Sequence, residues 1–163
     1  MRYARITYTI VALGAGLWCA LILAAPLSAA SRSLAPISDI IYAFFRPLCH
    51  QLASRSFFVS RHPLAVCARC SSVYFGFFLG TLAYPLLRNL RPLRAGGLIL
   101  LGCACAPMAF DIALSSAGLF ETTNFTRAVT GAWFGLIMPF VFIPGAVEGI
   151  HQLFLIRQHH SIQ

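Results

Sequence analysis

The sequence predicts an all-α integral membrane protein: a four-helix bundle with a short interfacial amphipathic helix and a Cys/His loop. Three observations carry this. The 163 residues are 59% hydrophobic and only 10% charged, whereas a soluble domain carries about 25% charged residues. Four apolar stretches match the ~20 residues that cross the hydrocarbon core as a helix. The residues able to do chemistry gather in the loop between the first two stretches. Residues 1–163 read as one membrane domain, with no long-period repeat and no low-complexity segment.

The first span runs from about Ile6 to Leu27. A signal-peptide reading also fits its basic start and the small residues Ser28-Ala29-Ala30. The apolar run is long enough to span, which favours a retained helix, and either reading sends the following loop outward. In that loop, 28–66, Ile37, Ile40, Ile41, Phe44, Phe45 and Leu48 recur at helical spacing, with Ser38, Asp39, Tyr42 and Arg46 on the other face. This predicts an amphipathic helix in the interface. Pro47 ends it, because the residue before proline avoids the α region, and so Cys49-His50 arrives at the bilayer surface.

The second span runs from about Val66 to Leu87 and the third from about Ala95 to Ala117. The fourth runs from about Arg127 to Ile150, with Pro139 and Pro144 as kink sites and Asn124 as its expected cap. Gly76 and Gly80 form G-x-x-x-G on the second span, and Gly131 and Gly135 do so on the fourth. Such pairs let helices approach closely, within a monomer or between monomers. Cys19, Cys103 and Cys105 lie in apolar spans and read as small buried hydrophobes.

Net charge is +8, all of the basic side chains being arginine. No basic helix or RNA-binding motif accompanies them, so nucleic acid is not the expected partner. Orientation and lipid contact explain them better. Arg2, Arg5, Arg88, Arg91, Arg94 and Arg157 fall on one side of a four-span chain. The positive-inside rule makes that side cytoplasmic. The expectation is a bacterial plasma (inner) membrane protein with both termini in the cytoplasm and the Cys/His loop outside. Arg32, Arg46, Arg55 and Arg61 in the loop oppose that assignment.

Connectivity alone makes a further deduction. The second span starts on the loop side, the third ends there and the fourth begins there. Cys49, His50, Arg55, Cys67, Arg69, Cys70, Asp111 and Arg127 therefore belong to one leaflet. Cys49, His50, Cys67 and Cys70 supply three thiols and an imidazole, the donor set of a tetrahedral zinc or iron site. His62, or a water, is the alternative fourth ligand. A closed site would be structural, and an open position would permit Lewis-acid or hydroxide chemistry. Asp111, at membrane depth, needs a partner, and Arg69 and Arg127 are the candidates. Arg55, Arg69, Asp111 and Arg127 form the expected catalytic or binding pocket, suited to an anionic lipid or isoprenoid head group.

Cys49-His50-Gln51, Arg55-Ser56-Phe57 and Cys67-Ala68-Arg69-Cys70 with Tyr74 and Gly76 resemble a family of prokaryotic predicted membrane proteins, the domain of unknown function numbered two thousand and eighty-five. The resemblance continues through Pro107, Asp111, Asn124, Arg127, Thr130 and Gly131, and covers roughly Pro47 to Gly135. It implies the membrane setting and this residue set, without a reaction. Ser72, and Ile112 after Asp111, stand where the family pattern has glycine; both bear on helix packing and leave the candidate ligands in place.

Three functions compete. The first is a membrane protein with a zinc-type site, acting on or sensing an anionic head group or serving as an accessory subunit of a membrane complex or homo-oligomer. The second is a thiol-disulfide or quinone oxidoreductase using Cys67–Cys70. The third is a small oligomeric transporter. Whether the protein is an enzyme turns on the coordination number, which the sequence leaves open.

Overall fold

The computed structural model describes residues 2–87 and 97–160. Its elements are α1 (Arg2–Ala29), α2 (Ala35–Phe45), a 3₁₀ turn (Ala53–Arg55), the strands β1 (Phe58–Val59) and β2 (His62–Pro63), α3 (Ala68–Leu87), α4 (Gly97–Ser116) and α5 (Asn124–His160). α1, α3, α4 and the first part of α5 are long and apolar enough to cross a membrane. Arg88, Arg91 and Arg94 lie outside the described residues. The fourth span expected to end near Ile150 belongs to a helix that continues to His160, with Pro139 and Pro144 inside it.

α2 forms where the apolar periodicity places it, with a proline in its first turn, and ends at Phe45; Arg46, ahead of Pro47, nevertheless keeps α-region angles (φ −56°, ψ −44°), contrary to the reason expected for the stop. Its apolar stripe is divided in two. Ile41 and Phe45 turn inward beside the buried Ser38, whose hydroxyl donates to the Ala25 carbonyl of α1 at 2.8 Å. Ile37, Ile40, Phe44 and Leu48 stay exposed, the face a membrane interface would cover. Ser38, expected on the outer polar face, is thus the pin that docks α2 on α1. After the helix, the Leu48 and Cys49 amides both donate to the Phe45 carbonyl at 3.0 Å, which swings Cys49 under the helix end.

The core beside the α2–α3 loop comprises Ile22 and Ala25 of α1, Ile41 and Phe45 of α2, Cys49, and Leu64-Ala65-Val66 ahead of α3. Trp18 packs edge-on against Phe44 and Phe45 and against Tyr74 of α3.

α3 and α5 form the central pair, and each of the four glycines lies against the backbone of the other helix within the monomer. A Cβ on Gly76 would lie 2.7 Å from the Ala132 carbonyl, and one on Gly131 2.6 Å from the Arg69 carbonyl. A Cβ on Gly80 or Gly135 would run into the backbone of Leu136 or Val73. Ser72 does not hold the helices apart, since it meets the bare Cα side of Gly131. Ile112 points away from the bundle, 44% exposed.

α4 packs chiefly on α5. The Trp133 indole of α5 donates to the Cys103 carbonyl of α4 at 3.0 Å. Of the span cysteines only Cys19 is a buried hydrophobe; Cys105 is half-buried and Cys103 exposed on this outlying helix, contrary to expectation. Gly118, at φ +69°, ends α4 in a Schellman arrangement, with Leu119 N–H donating to Leu114 O and Gly118 N–H to Ser115 O. Thr123, not Asn124, caps α5: its Oγ1 accepts from the Thr126 amide at 3.2 Å. Asn124 instead donates to the Ser54 carbonyl and ties α5 to the loop.

Candidate functional site

The loop between α2 and α3 folds by local hydrogen bonding. Ser60 and Arg61 both adopt positive φ, 51° and 66°, as the two-residue turn between β1 and β2 requires. Gln51 also lies at positive φ, 52°, which is unfavourable for a residue with a Cβ. Its side-chain amide holds that bend by donating to the Tyr42 carbonyl at 2.8 Å and the Ala65 carbonyl at 2.9 Å. Tyr42 in turn donates its hydroxyl to the Pro63 carbonyl. One glutamine therefore clips the segment carrying Cys49 to the segment carrying Cys67.

The result is a cluster of three free thiols. The Cys49 sulfur accepts from the Cys67 amide at 3.2 Å. Burial pushes the Cys49 thiol up, but donors from the Cys67 and Gln51 amides and from the Cys67 and Cys70 thiols outweigh it and bring it below its ordinary value. Cys67 moves the other way: burial, then the hydrogen bond with Cys49, raises it, although the Leu52 amide and Ser56 lie against it as donors. Proton loss thus begins at Cys49, with the other two thiols as donors around it.

Cys49, Cys67 and Cys70 line a cavity of about 330 Å³ together with His50, Arg55, Arg69 and Arg127, closed by Leu48 and Leu52. Seven of the eight residues that connectivity assigns to one leaflet thus share one cavity. The eighth, Asp111, reaches it through an ion pair with Arg69. Arg127 is not its partner; both Nε and Nη2 of Arg127 donate to the Thr122 hydroxyl, at 3.0 and 2.8 Å. His50 is in the wall, whereas His62 pairs with Val59 in the hairpin and is not part of the lining. Three guanidiniums therefore face one carboxylate, and the Nε of Arg69 is buried without an acceptor among the described residues.

Among the described residues, no group of three or more His, Cys, Asp and Glu side chains is spaced to hold a metal ion. The arrangement is one of hydrogen-bonded thiols. Its donor chemistry nevertheless suits a thiophilic ion: three sulfurs from two segments, with backbone amides directed at two of them. Three contributors escape the reading of the sequence. Gln51 is visible only as part of C-H-Q, and Ser56 only as part of R-S-F. Thr122 has no sequence signal, because its role depends on the path of the α4–α5 connection.

A family model described as "Predicted membrane protein (DUF2085)" matches residues 49–141, from the first cysteine of the cluster into the packed part of α5. The uncharacterized protein MJ1492 of Methanocaldococcus jannaschii is 36% identical over 118 residues, 72% of this chain and 76% of that protein. No solved structure matches the chain.

Proposed function

The chain belongs to the DUF2085 family of predicted membrane proteins, and we propose that its working unit is the interfacial cavity, a Cys₃ centre that takes a zinc-type ion beside an arginine-lined site for an anionic head group. The observation that carries this reading is the meeting of Cys49, Cys67 and Cys70 with Arg55, Arg69 and Arg127 around one space. Cys49, Cys67 and Cys70 would be the ligands, with His50 or an outside ligand in the fourth position. An ion left with an open position would supply Lewis acidity. The protein's own part is to hold the sulfurs as thiolates with amide donors, and to hold a phosphate-type group through bidentate guanidinium contacts.

A second reading, thiol-disulfide exchange, is favoured by the three free thiols lying within hydrogen-bonding reach of one another. In it Cys67 and Cys70 would form a disulfide by giving two electrons and two protons to a quinone-type acceptor, and Cys49 would be the neighbouring thiolate. Metal content and free thiols, counted together on detergent-purified protein beside Cys67→Ser, separate the two. About one zinc or iron ion per chain, lost in the variant, is expected. Absence of metal, with Cys67 and Cys70 unreactive until reduced, would overturn the metal reading and leave the redox one.

A further inference from the structure

A second cavity, of about 400 Å³, lies between α1, α3 and α5 and is lined by Gly14, Trp18, Tyr74, Phe77, Phe134 and Met138, among others. Its lining lies deeper along α3 and α5 than that of the thiol cavity. Tyr74 follows Cys70 by four residues and so lies ~6 Å deeper along α3, and Phe134 follows Arg127 by about two turns of α5. Trp18 and Tyr74, ring centroids 5.7 Å apart, form the wall shared with the core beneath the cysteines. Gly14 faces the open space of the slot; a Cβ there would meet nothing within 4 Å. The Trp18 indole N–H is buried in its wall, directed toward the Tyr74 hydroxyl without a hydrogen bond of normal geometry.

Charge identifies what spans the two spaces. In the upper cavity Arg127 is bonded to a neutral hydroxyl, Arg55 is exposed with no side-chain partner among the described residues, and both lie near Arg69, whose charge alone is matched by Asp111. A cavity with surplus positive charge therefore stands one to two helical turns above an apolar slot. That is the profile of a molecule with an anionic head and a hydrocarbon chain.

We propose that the two cavities hold one membrane lipid with a net-anionic phosphate head, lacking the cationic group of phosphatidylcholine, its phosphate between Arg55 and Arg127 beside the thiols and one chain in the slot between α1, α3 and α5. The proposal rests on the head-group reading of the upper cavity and adds the chain site and the lipid class.

Trp18 is itself the probe. The chain has two tryptophans, so Trp133→Phe leaves Trp18 as the reporter. The protein is placed in phosphatidylcholine vesicles carrying a small fraction of either phosphatidic acid or phosphatidylcholine with brominated chains, which quench tryptophan at short range. At equal fraction the brominated phosphatidic acid should quench Trp18 more strongly. That preference should be lost in Arg55→Ala/Arg127→Gln and, with all arginines present, in Gly14→Leu, which fills the slot. Quenching by brominated phosphatidylcholine, unchanged in every variant, shows that Trp18 keeps its place and depth. Equal quenching by the two lipids in the parent protein would overturn the proposal, the slot then being filled by any bulk lipid. A preference that the arginine variant loses but Gly14→Leu keeps would also overturn it, since the cavity would then take an anion, such as free phosphate, and no chain. Metal content is read separately: protein without metal that still prefers phosphatidic acid sinks the metal centre and leaves the lipid site standing.

Discussion

Asp111 is the residue whose behaviour the sequence half reveals. A carboxylate at membrane depth must be paired, and that much is legible from its position in an apolar span. Which arginine pairs with it is not, because the choice depends on how α4 is rotated on α5. The structure selects Arg69 and leaves Arg127 to Thr122. Removing one partner of a buried pair typically destabilises by about 3–5 kcal/mol because the other charge is stranded. Arg69 keeps 25% side-chain exposure, so the lower end, about 3 kcal/mol, is expected for Asp111→Asn. Unfolding in detergent measures this. The double variant Arg69→Met/Asp111→Leu should recover much of the loss, and a double as unstable as the single would show that the pair is not what matters. Gln51 illustrates the opposite case: nothing in periodicity marks it, because its role lies in a backbone angle. Gln51→Ala loses two hydrogen bonds and keeps the unfavourable φ, whereas Gln51→Gly loses the bonds and relieves the angle. Gly should therefore be the more stable of the two by about 1 kcal/mol, and Gln51→Ala the variant in which the Cys49 thiol becomes more readily alkylated.

At the scale of elements, the four spans and the interfacial helix are legible because length, hydropathy and proline positions fix them locally. The partners of those elements are less so. The G-x-x-x-G repeats announce close packing without naming the other helix; only the structure shows α3 against α5, which uses both repeats inside one monomer. They therefore lend no support to an oligomer. Gly135→Ala would drive a Cβ into the Val73 backbone, and overpacking of this kind costs about 1–3 kcal/mol. Gly102→Ala, on α4 with nothing within 4 Å, should be neutral or stabilise the helix by up to about 1 kcal/mol. The same unfolding assay compares them, and equal effects would contradict the packing of the central pair. The split stripe of α2 has a similar cause. A helix at an interface has two apolar surroundings, protein and lipid, and periodicity reports their sum. The small hairpin at Phe58–Pro63 escapes the sequence because its turn, Ser60-Arg61, lacks the Asn-Gly or Asp-Gly signal of such turns.

At the scale of the whole molecule, the cavity is assembled by connectivity. An even number of spans returns the ends of α1 and α4 and the starts of α3 and α5 to one face, so residues from four places in the chain meet there whatever the detailed packing. That is why the membership of the site is legible while its internal bonding is not. The same argument bears on orientation. Of the six arginines on the cavity face, Arg55, Arg69 and Arg127 line the cavity, leaving Arg32, Arg46 and Arg61 as the plain surface charges of that side. The opposite face carries Arg2, Arg5, Arg88, Arg91, Arg94 and Arg157 by sequence position. With the cavity arginines assigned to a ligand, the remaining bias runs two to one toward the face of the termini, the bias the positive-inside rule reads as cytoplasmic. A fluorescent protein fused after Gln163 should then mature and fluoresce in the cell, while alkaline phosphatase at the same point should be inactive. A single cysteine placed at the exposed Arg61, in a variant whose native cysteines are serine or alanine and which still folds, should react with a membrane-impermeant maleimide from outside. The reverse pattern in both assays would put the cavity, and any lipid it holds, in the cytoplasmic leaflet.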